Sequence, residues 1–293
     1  VSHTILFLLP TAVLICFLFL NIFRIVIDDA LRSEQALSSQ SVLSAENLVS
    51  HVTHASDTLN SSYVIRDTFD ISNAQPQSLI PSRNKINNLL RLADTLTDHS
   101  LIESVTFYYD DHTYHKLEQF NTDTQKLFLP LSQVSSPWLK HFETTGASQL
   151  FVPKVDLSEK EVTEHGPLAY IKPIFYRSYD GDPESIAAYS AIYFSEDAFE
   201  EILKKDSTIK DEFSFLINDD LDLISASDPS LFSNNLAIQA LQSDPSASGQ
   251  FQLVNYGEFS AYTACFPLKN TDWYMCSLIP RDQVAGIGHS VVT

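Results

Sequence analysis

Apolar residues are spread unevenly along this chain, and their spacing divides it into segments. From Thr4 to Phe23 the sequence TILFLLPTAVLICFLFLNIF holds no charged side chain. A helix rises ~1.5 Å per residue, so about 20 such residues cross a hydrocarbon core ~30 Å thick. Pro10 is tolerable there, because a membrane helix can re-satisfy one lost bond. The run exceeds the ~7–15 apolar residues of a secretory signal, and no small-x-small cleavage pattern follows it. The expectation is a transmembrane anchor over residues 1–27, in contact with membrane lipid through residues 4–23. No Lys/Arg cluster follows the span, which fits a chain whose bulk is extracytoplasmic; the first residue, Val1, leaves the upstream charge pattern unread.

Beyond the span, residues 28–62 contain neither proline nor glycine. Apolar residues fall at Leu31, Leu37, Val42, Ala45, Leu48, Val49, Val52, Ala55 and Leu59. From Ala45 onward the steps are threes and fours, as one face of a helix requires. A long spine helix over 28–62 is predicted, with a face to offer a following domain or a twin in a homodimer.

After residue 62 the period changes. In a unit over 63–205, a helix is predicted at 81–98, with Ser82 as its cap and Ile86, Leu89, Leu90 and Leu92 on one face. Strands are expected at 102–109, at 113–120 (pairing back as a hairpin), at 150–155, at 167–176 and at 186–194, with a short helix opening at Ser136-Pro137-Trp138. Ser195 caps a further helix that starts acidic and ends basic. In a smaller unit over 206–283, Phe213–Ile217 and Leu221–Ser225 flank Asn218-Asp219-Asp220 as a hairpin. A helix near 236–241 follows, then strands at 249–254, 259–268 and 273–279. The last ten residues, 284–293, read as an exit helix toward a second span.

Charge narrows the function. Thirty-seven acidic against 18 basic residues give a net −19, a surface that repels nucleic acid. Seven glycines form no phosphate loop, and neither H-E-x-x-H, C-x-x-C nor G-x-S-x-G occurs, so no cofactor, no metal and no catalytic set is indicated. His112 and His115 alone make a weak metal pair. Cys265 and Cys276 are equidistant from the turn at 269–272 and should face each other across two strands, either as a disulfide or as two packed thiols.

Segments of the chain resemble the double Cache sensor domain. PLAYIKPIFY (167–176), SAIYFSEDAFEEIL (190–203), EFSFLINDDLDLISASD (212–228) and TDWYMCSLIPRDQV (271–284) are similar to successive segments of that family, in its order. The resemblance implies an α+β fold: an N-terminal transmembrane helix continuing into a long helix that carries two stacked PAS-like antiparallel sheets. It also implies a sensor that relays ligand binding in the membrane-distal unit through the membrane helices, here most like sensor histidine kinases paired with AraC-type response regulators, the cytoplasmic transmitter lying beyond Thr293. Chemoreceptors and diguanylate cyclases carry the same sensor, and a single-span surface module is the alternative of another class.

In that family the small-molecule pocket sits on one sheet face of the distal unit. Matching segments place Tyr108, Trp138, Tyr170, Lys172 and Tyr193 there, aromatics for stacking and Lys172 for an anionic group. The amino-acid-binding subfamily has an arginine two residues before a Trp-Tyr pair and a late aspartate. This chain has Ser136, Leu139 and Tyr193 at those places, so recognition of an α-amino acid in that manner is not expected; a sugar, a peptide, a carboxylate or no ligand at all remains open.

Overall fold

The structure is a computed structural model that describes residues 2–69, 82–97, 101–114, 116–122, 126–176, 185–204, 207, 209–244, 246–257 and 259–292, with the side chains of residues 2–11 and 288–292 outside that description. With neither proline nor glycine between Pro10 and residue 62, α1 runs unbroken over Ser2–Ser61. Among the described residues no helix is long and apolar enough to cross a membrane. The first part of the expected span, residues 4–11, lies outside the residues whose side chains are described.

Two compact units follow, one mid-chain (46–199) and one built from residues 1–45 together with 200–293. The mid-chain unit contains α2 (Tyr63–Phe69), α3 (Arg83–Thr97), β1 (Ile102–Tyr109), β2 (Phe128–Pro130), α4 (Pro137–Thr145), β3 (Leu150–Val152), α5 (Glu159–Glu164), β4 (Leu168–Tyr176) and β5 (Ser185–Phe194). Its sheet has the order β2-β1-β5-β4-β3. The terminal unit contains α6 (Asp197–Leu203), β6 (Phe213–Ile217), β7 (Leu223–Ala226), α7 (Asn234–Ser243), β8 (Gln252–Asn255), β9 (Ser260–Pro267), β10 (Tyr274–Pro280) and α8 (Arg281–Val292), with sheet order β7-β6-β10-β9-β8. This is an α+β fold with two largely antiparallel sheets and a long N-terminal helix.

One expected strand is absent. Among the described residues of 113–120 no strand forms: Thr113 and Tyr114 close a turn, and Leu117–Phe120 is a short 3-10 helix. The cause is local. Asp110 caps the chain as it leaves β1: its carboxylate accepts from the His112 N–H and the Thr113 hydroxyl, and its carbonyl from the Tyr114 N–H. That winds the backbone helically instead of reversing it in a two-residue turn. The edge of β1 is taken by β2, which runs parallel to it.

In the mid-chain unit α1 buries Val49, Val52, Ala55 and Leu59, the spacing read from the sequence. In the terminal unit its stripe is partly polar: Glu34, Ser38 and Ser41 are buried with Val42 and Ala45. There the Ser38 hydroxyl reaches Ser277 at 3.4 Å, which bonds Ser214 at 2.9 Å.

Cys265 and Cys276 are direct partners in the β9–β10 register, both fully buried and both free. Burial pushes the Cys276 thiol well up, reinforced by its neighbour Cys265.

Leu59 is fully buried, whereas Leu231 is mostly exposed. Leu59→Ala should cost about 2–5 kcal/mol of stability. Leu231→Ala should change it by about 0.5 kcal/mol or less. Urea unfolding followed by circular dichroism distinguishes the two.

Candidate functional site

The sheet of the mid-chain unit has two faces set by alternation along its strands, interrupted at Ile102–Ser104 and at Ile174–Phe175. Tyr193 is opposite Ala169 and Ser104, and Tyr108 is opposite Tyr189. These side chains share the face covered by α4, where Trp138, Phe142 and Tyr189 pack as edge-on or tilted rings. The other face meets α1: Ser190 donates to Asn60 at 3.0 Å, and Lys172 pairs with Asp57 at 2.6 Å.

On the α4 face one carboxylate gathers the polar groups. Glu161, on α5, is 6% exposed. Its Oε1 accepts from the Tyr108 hydroxyl at 3.0 Å, the Trp138 indole N–H at 3.0 Å and the Tyr193 hydroxyl at 3.3 Å. Its Oε2 accepts from the Ser158 N–H at 2.8 Å, the Ser158 hydroxyl at 2.7 Å and the Ser136 hydroxyl. Tyr108 and Tyr193 also bond each other.

Local sequence explains the arrangement. Ser158 and Glu161 form a reciprocal capping box that starts α5. Ser136 is the N-cap position of α4, with Pro137 at the first helical position, which aims Trp138 inward. Gly166 returns the chain to β4 at φ 143°, where a Cβ would lie 2.7 Å from Glu103 Oε2.

Burial opposes ionisation of Glu161, but the bonds from Ser136, Ser158 and Trp138 outweigh it and hold its pKa below the ordinary glutamate value. Burial, then the Glu161 charge, pushes the Tyr108 hydroxyl well up; Tyr193 is raised by burial and by Tyr108 and Glu161. His165, at the end of α5, is stacked on Tyr193 with centroids 5.0 Å apart. Its Nδ1 lies 3.2 Å from the Thr106 hydroxyl, and its Nε2 is buried with no partner among the described residues. Burial lowers its pKa. A cavity of about 40 Å³ adjoins the cluster, lined by Tyr108, Leu129, Ser136, Glu161, Glu164 and His165 among others.

Of the residues singled out in the sequence, Tyr108, Trp138 and Tyr193 come together around Glu161. Tyr170 and Lys172 lie on the opposite face: the Tyr170 hydroxyl donates to Gln149 at 2.6 Å and its ring packs on Phe151. Glu161, Ser158 and His165 escaped notice. The one available signal, Ser-x-x-Glu at 158–161, marks a helix start and nothing more.

Two pH effects follow from these groups. Glu161 is depressed below its ordinary 4.5, so the stability it contributes is complete above that value and is lost as pH falls through its folded pKa. His165 is depressed below its ordinary 6.5, so stability should decline as pH falls below 6.5 while the unfolded chain takes up the proton first. Urea midpoints measured from pH 8 to about 2 should show both slopes. His165→Gln should remove the upper one. Glu161→Gln should remove the lower one and cost roughly 1.5–3 kcal/mol at neutral pH.

No protein-family model matches the chain, and no curated protein sequence does. Solved structures share its fold. The ligand-binding domain of the Campylobacter jejuni chemoreceptor Tlp3, in complex with 4-methylisoleucine, superposes with a TM-score of 0.54 at 14% identity, over 88% of this chain and 94% of that one. The ligand-binding domain of the Pseudomonas fluorescens chemoreceptor CtaA, in complex with L-isoleucine, gives 0.52 at 12% identity, over 90% and 98%. The sensor domain of the V. cholerae histidine kinase DctB gives 0.51 at 11% identity, over 87% and 98%. The fold of this chain is therefore the one shared by these ligand-binding and sensor domains.

Proposed function

We propose that this chain is the extracytoplasmic sensing region of a bacterial transmembrane receptor of the double Cache type. Its ligand is a small molecule taken up on the α4 face of the mid-chain sheet, with Tyr108, Trp138 and Tyr193 as contacts. The observation that carries this reading is the convergence of polar groups from β1, α4 and β5 on one buried point beside a cavity. Core packing alone does not require that, since buried polar atoms cost free energy unless each finds a partner. The departure at Ser136, where the amino-acid-binding subfamily carries an arginine, speaks for a different ligand from those of the chemoreceptors compared above.

Residues 4–23 are the anchor in this reading. Its support is the run of large apolar side chains on α1 from Val13 to Ile25, nine of which are exposed and require a cover such as lipid. The output module is a histidine kinase transmitter acting on an AraC-type response regulator, reached through α8 and a second span, with two copies joined along α1. A chemoreceptor output is the alternative at the level of the whole receptor.

The full chain in detergent micelles, screened by thermal shift against sugars, short peptides and carboxylates, should show a saturable rise with one class. Trp138→Phe, which keeps an aromatic ring but a smaller one and removes the indole donor, should weaken that response about tenfold or more, equivalent to roughly 1.4 kcal/mol. A response that Trp138→Phe and Tyr108→Phe both leave intact would place the ligand elsewhere. Deleting residues 4–23 should release the protein from membrane pellets; retention there would remove the anchor.

A further inference from the structure

The cradle around Glu161 consists of donors only, and no cation is paired with it in the ion pairs of the described residues. A carboxylate offers about four lone-pair directions. Five or six donated bonds, depending on whether Tyr193 gives its one hydroxyl hydrogen to Glu161 or to Tyr108, saturate them, so an incoming cation finds no free lone pair. What the protein has built here is a receptor for a carboxylate, and its present occupant is its own.

The donors and the occupant belong to different parts of the fold. Tyr108 and Tyr193 stand on the two paired central strands β1 and β5, and Trp138 on α4, packed among Tyr108, Phe142 and Tyr189. Glu161 rides on α5, six residues long, bounded by Ser158 and by the positive-φ Gly166. Two of these bonds, both to Ser158, are internal to the capping box and travel with the helix. The others, from Tyr108, Trp138, Tyr193 and Ser136, are those another carboxylate can replace. With Glu161 in place the adjoining cavity of about 40 Å³ has room for two or three waters and no organic solute. His165 Nε2, buried at its wall without a partner among the described residues, is a spare polar atom for whatever enters.

We infer that Glu161 is an intramolecular stand-in for a carboxylate-bearing ligand: it keeps the cradle closed, and ligand binding exchanges one carboxylate for another while α5 swings out on Ser158 and Gly166. This rests on the ligand-sensing reading above and names the ligand's reactive group. Because the internal carboxylate competes at every moment, simple monocarboxylates bind the wild type poorly. The natural ligand must gain additional contacts from the space that α5 vacates.

Removing the stand-in tests this directly. Glu161→Ala in the full chain should melt below the wild type in sodium chloride and recover saturably in sodium formate or acetate, with half-saturation on the order of 1 mM. The wild type and Glu161→Gln, whose side chains still fill the cradle, should show no such recovery. With ¹⁵N-labelled tryptophan, the Trp138 indole resonance should move in Glu161→Ala and return toward its wild-type position on adding formate. Stabilisation of Glu161→Ala by methylammonium chloride and not by formate, or by neither, overturns the inference. Should Glu161→Ala fail to fold in chloride, it is refolded in formate: recovery there supports the exchange, and failure in both salts overturns it. These outcomes do not depend on finding the natural ligand. A wild type that answers no compound in the screen defeats the sensor reading and leaves the formate result standing, whereas a formate failure leaves any screening hit intact.

Discussion

The geometry of the mid-chain unit depends on how it keeps one negative charge out of water. Taking a carboxylate into a protein interior costs several kcal/mol even after relaxation. Here no ammonium or guanidinium among the described ion pairs offsets that cost for Glu161; two serines, two tyrosines, a tryptophan and one backbone N–H do. Bonds to a charged acceptor are individually stronger than neutral ones, and these come from β1, β5, α4 and the start of α5. The carboxylate therefore ties four elements to a common point, and a shift in any of them is felt by the rest.

The sheet separates that point from α1, but only by the thickness of one strand. Tyr193 and Ser190 are three residues apart on β5 and so lie on opposite faces. Ser190 donates to Asn60 on the long helix. A ligand that repositions the Tyr193 hydroxyl thus acts on a strand whose other side is bonded to the helix. The Lys172–Asp57 pair adds a second link on that side, but Asp57 is largely exposed, so its energetic weight is small. The neutral contact at Ser190, between a buried hydroxyl and a half-buried amide, is the better transmitter.

Much of this fold was legible along the chain because its signals are long or have a fixed period. The breaker-free stretch from 28 to Ser61, the apolar and aromatic runs of β1, β5 and β9, and the Ser136-Pro137 start of α4 each carry several agreeing residues. The strand expected at 113–120 failed because a single side chain, Asp110, redirected the backbone, and the residues that follow it carry no mark of that. Helix α5 is too short to show any period. The site was half legible for a related reason. Aromatic residues on strands are visible, but which face each one takes depends on the register between strands, and the pairing of Tyr193 with Ala169 puts Tyr170 and Lys172 on the far side. Glu161 was hidden more deeply, since a capping box has the same sequence whether its glutamate ends in solvent or at the centre of a core.

The two sheets share one strand order yet differ at an edge, and that difference bears on which unit holds a site. In the terminal unit β6 and β7 are joined by residues 218–222 and run antiparallel, as a short turn dictates. In the mid-chain unit the connection from β1 to β2 spans residues 110–127, long enough to cross over, and β2 arrives parallel. Arriving in that direction, the chain continues past β2 through residues 129–136 along the rim of the cradle, and Leu129, Pro130, Gln133, Val134 and Ser135 become its wall. The terminal sheet spends its corresponding core on Phe215, Ala237, Ala240, Cys265 and Cys276, packed together as an apolar cluster. A long connection in place of a tight turn therefore does more than reverse an edge strand: it brings a loop over the sheet face on which Tyr108 and Tyr193 stand, and gives that face an opening with polar walls.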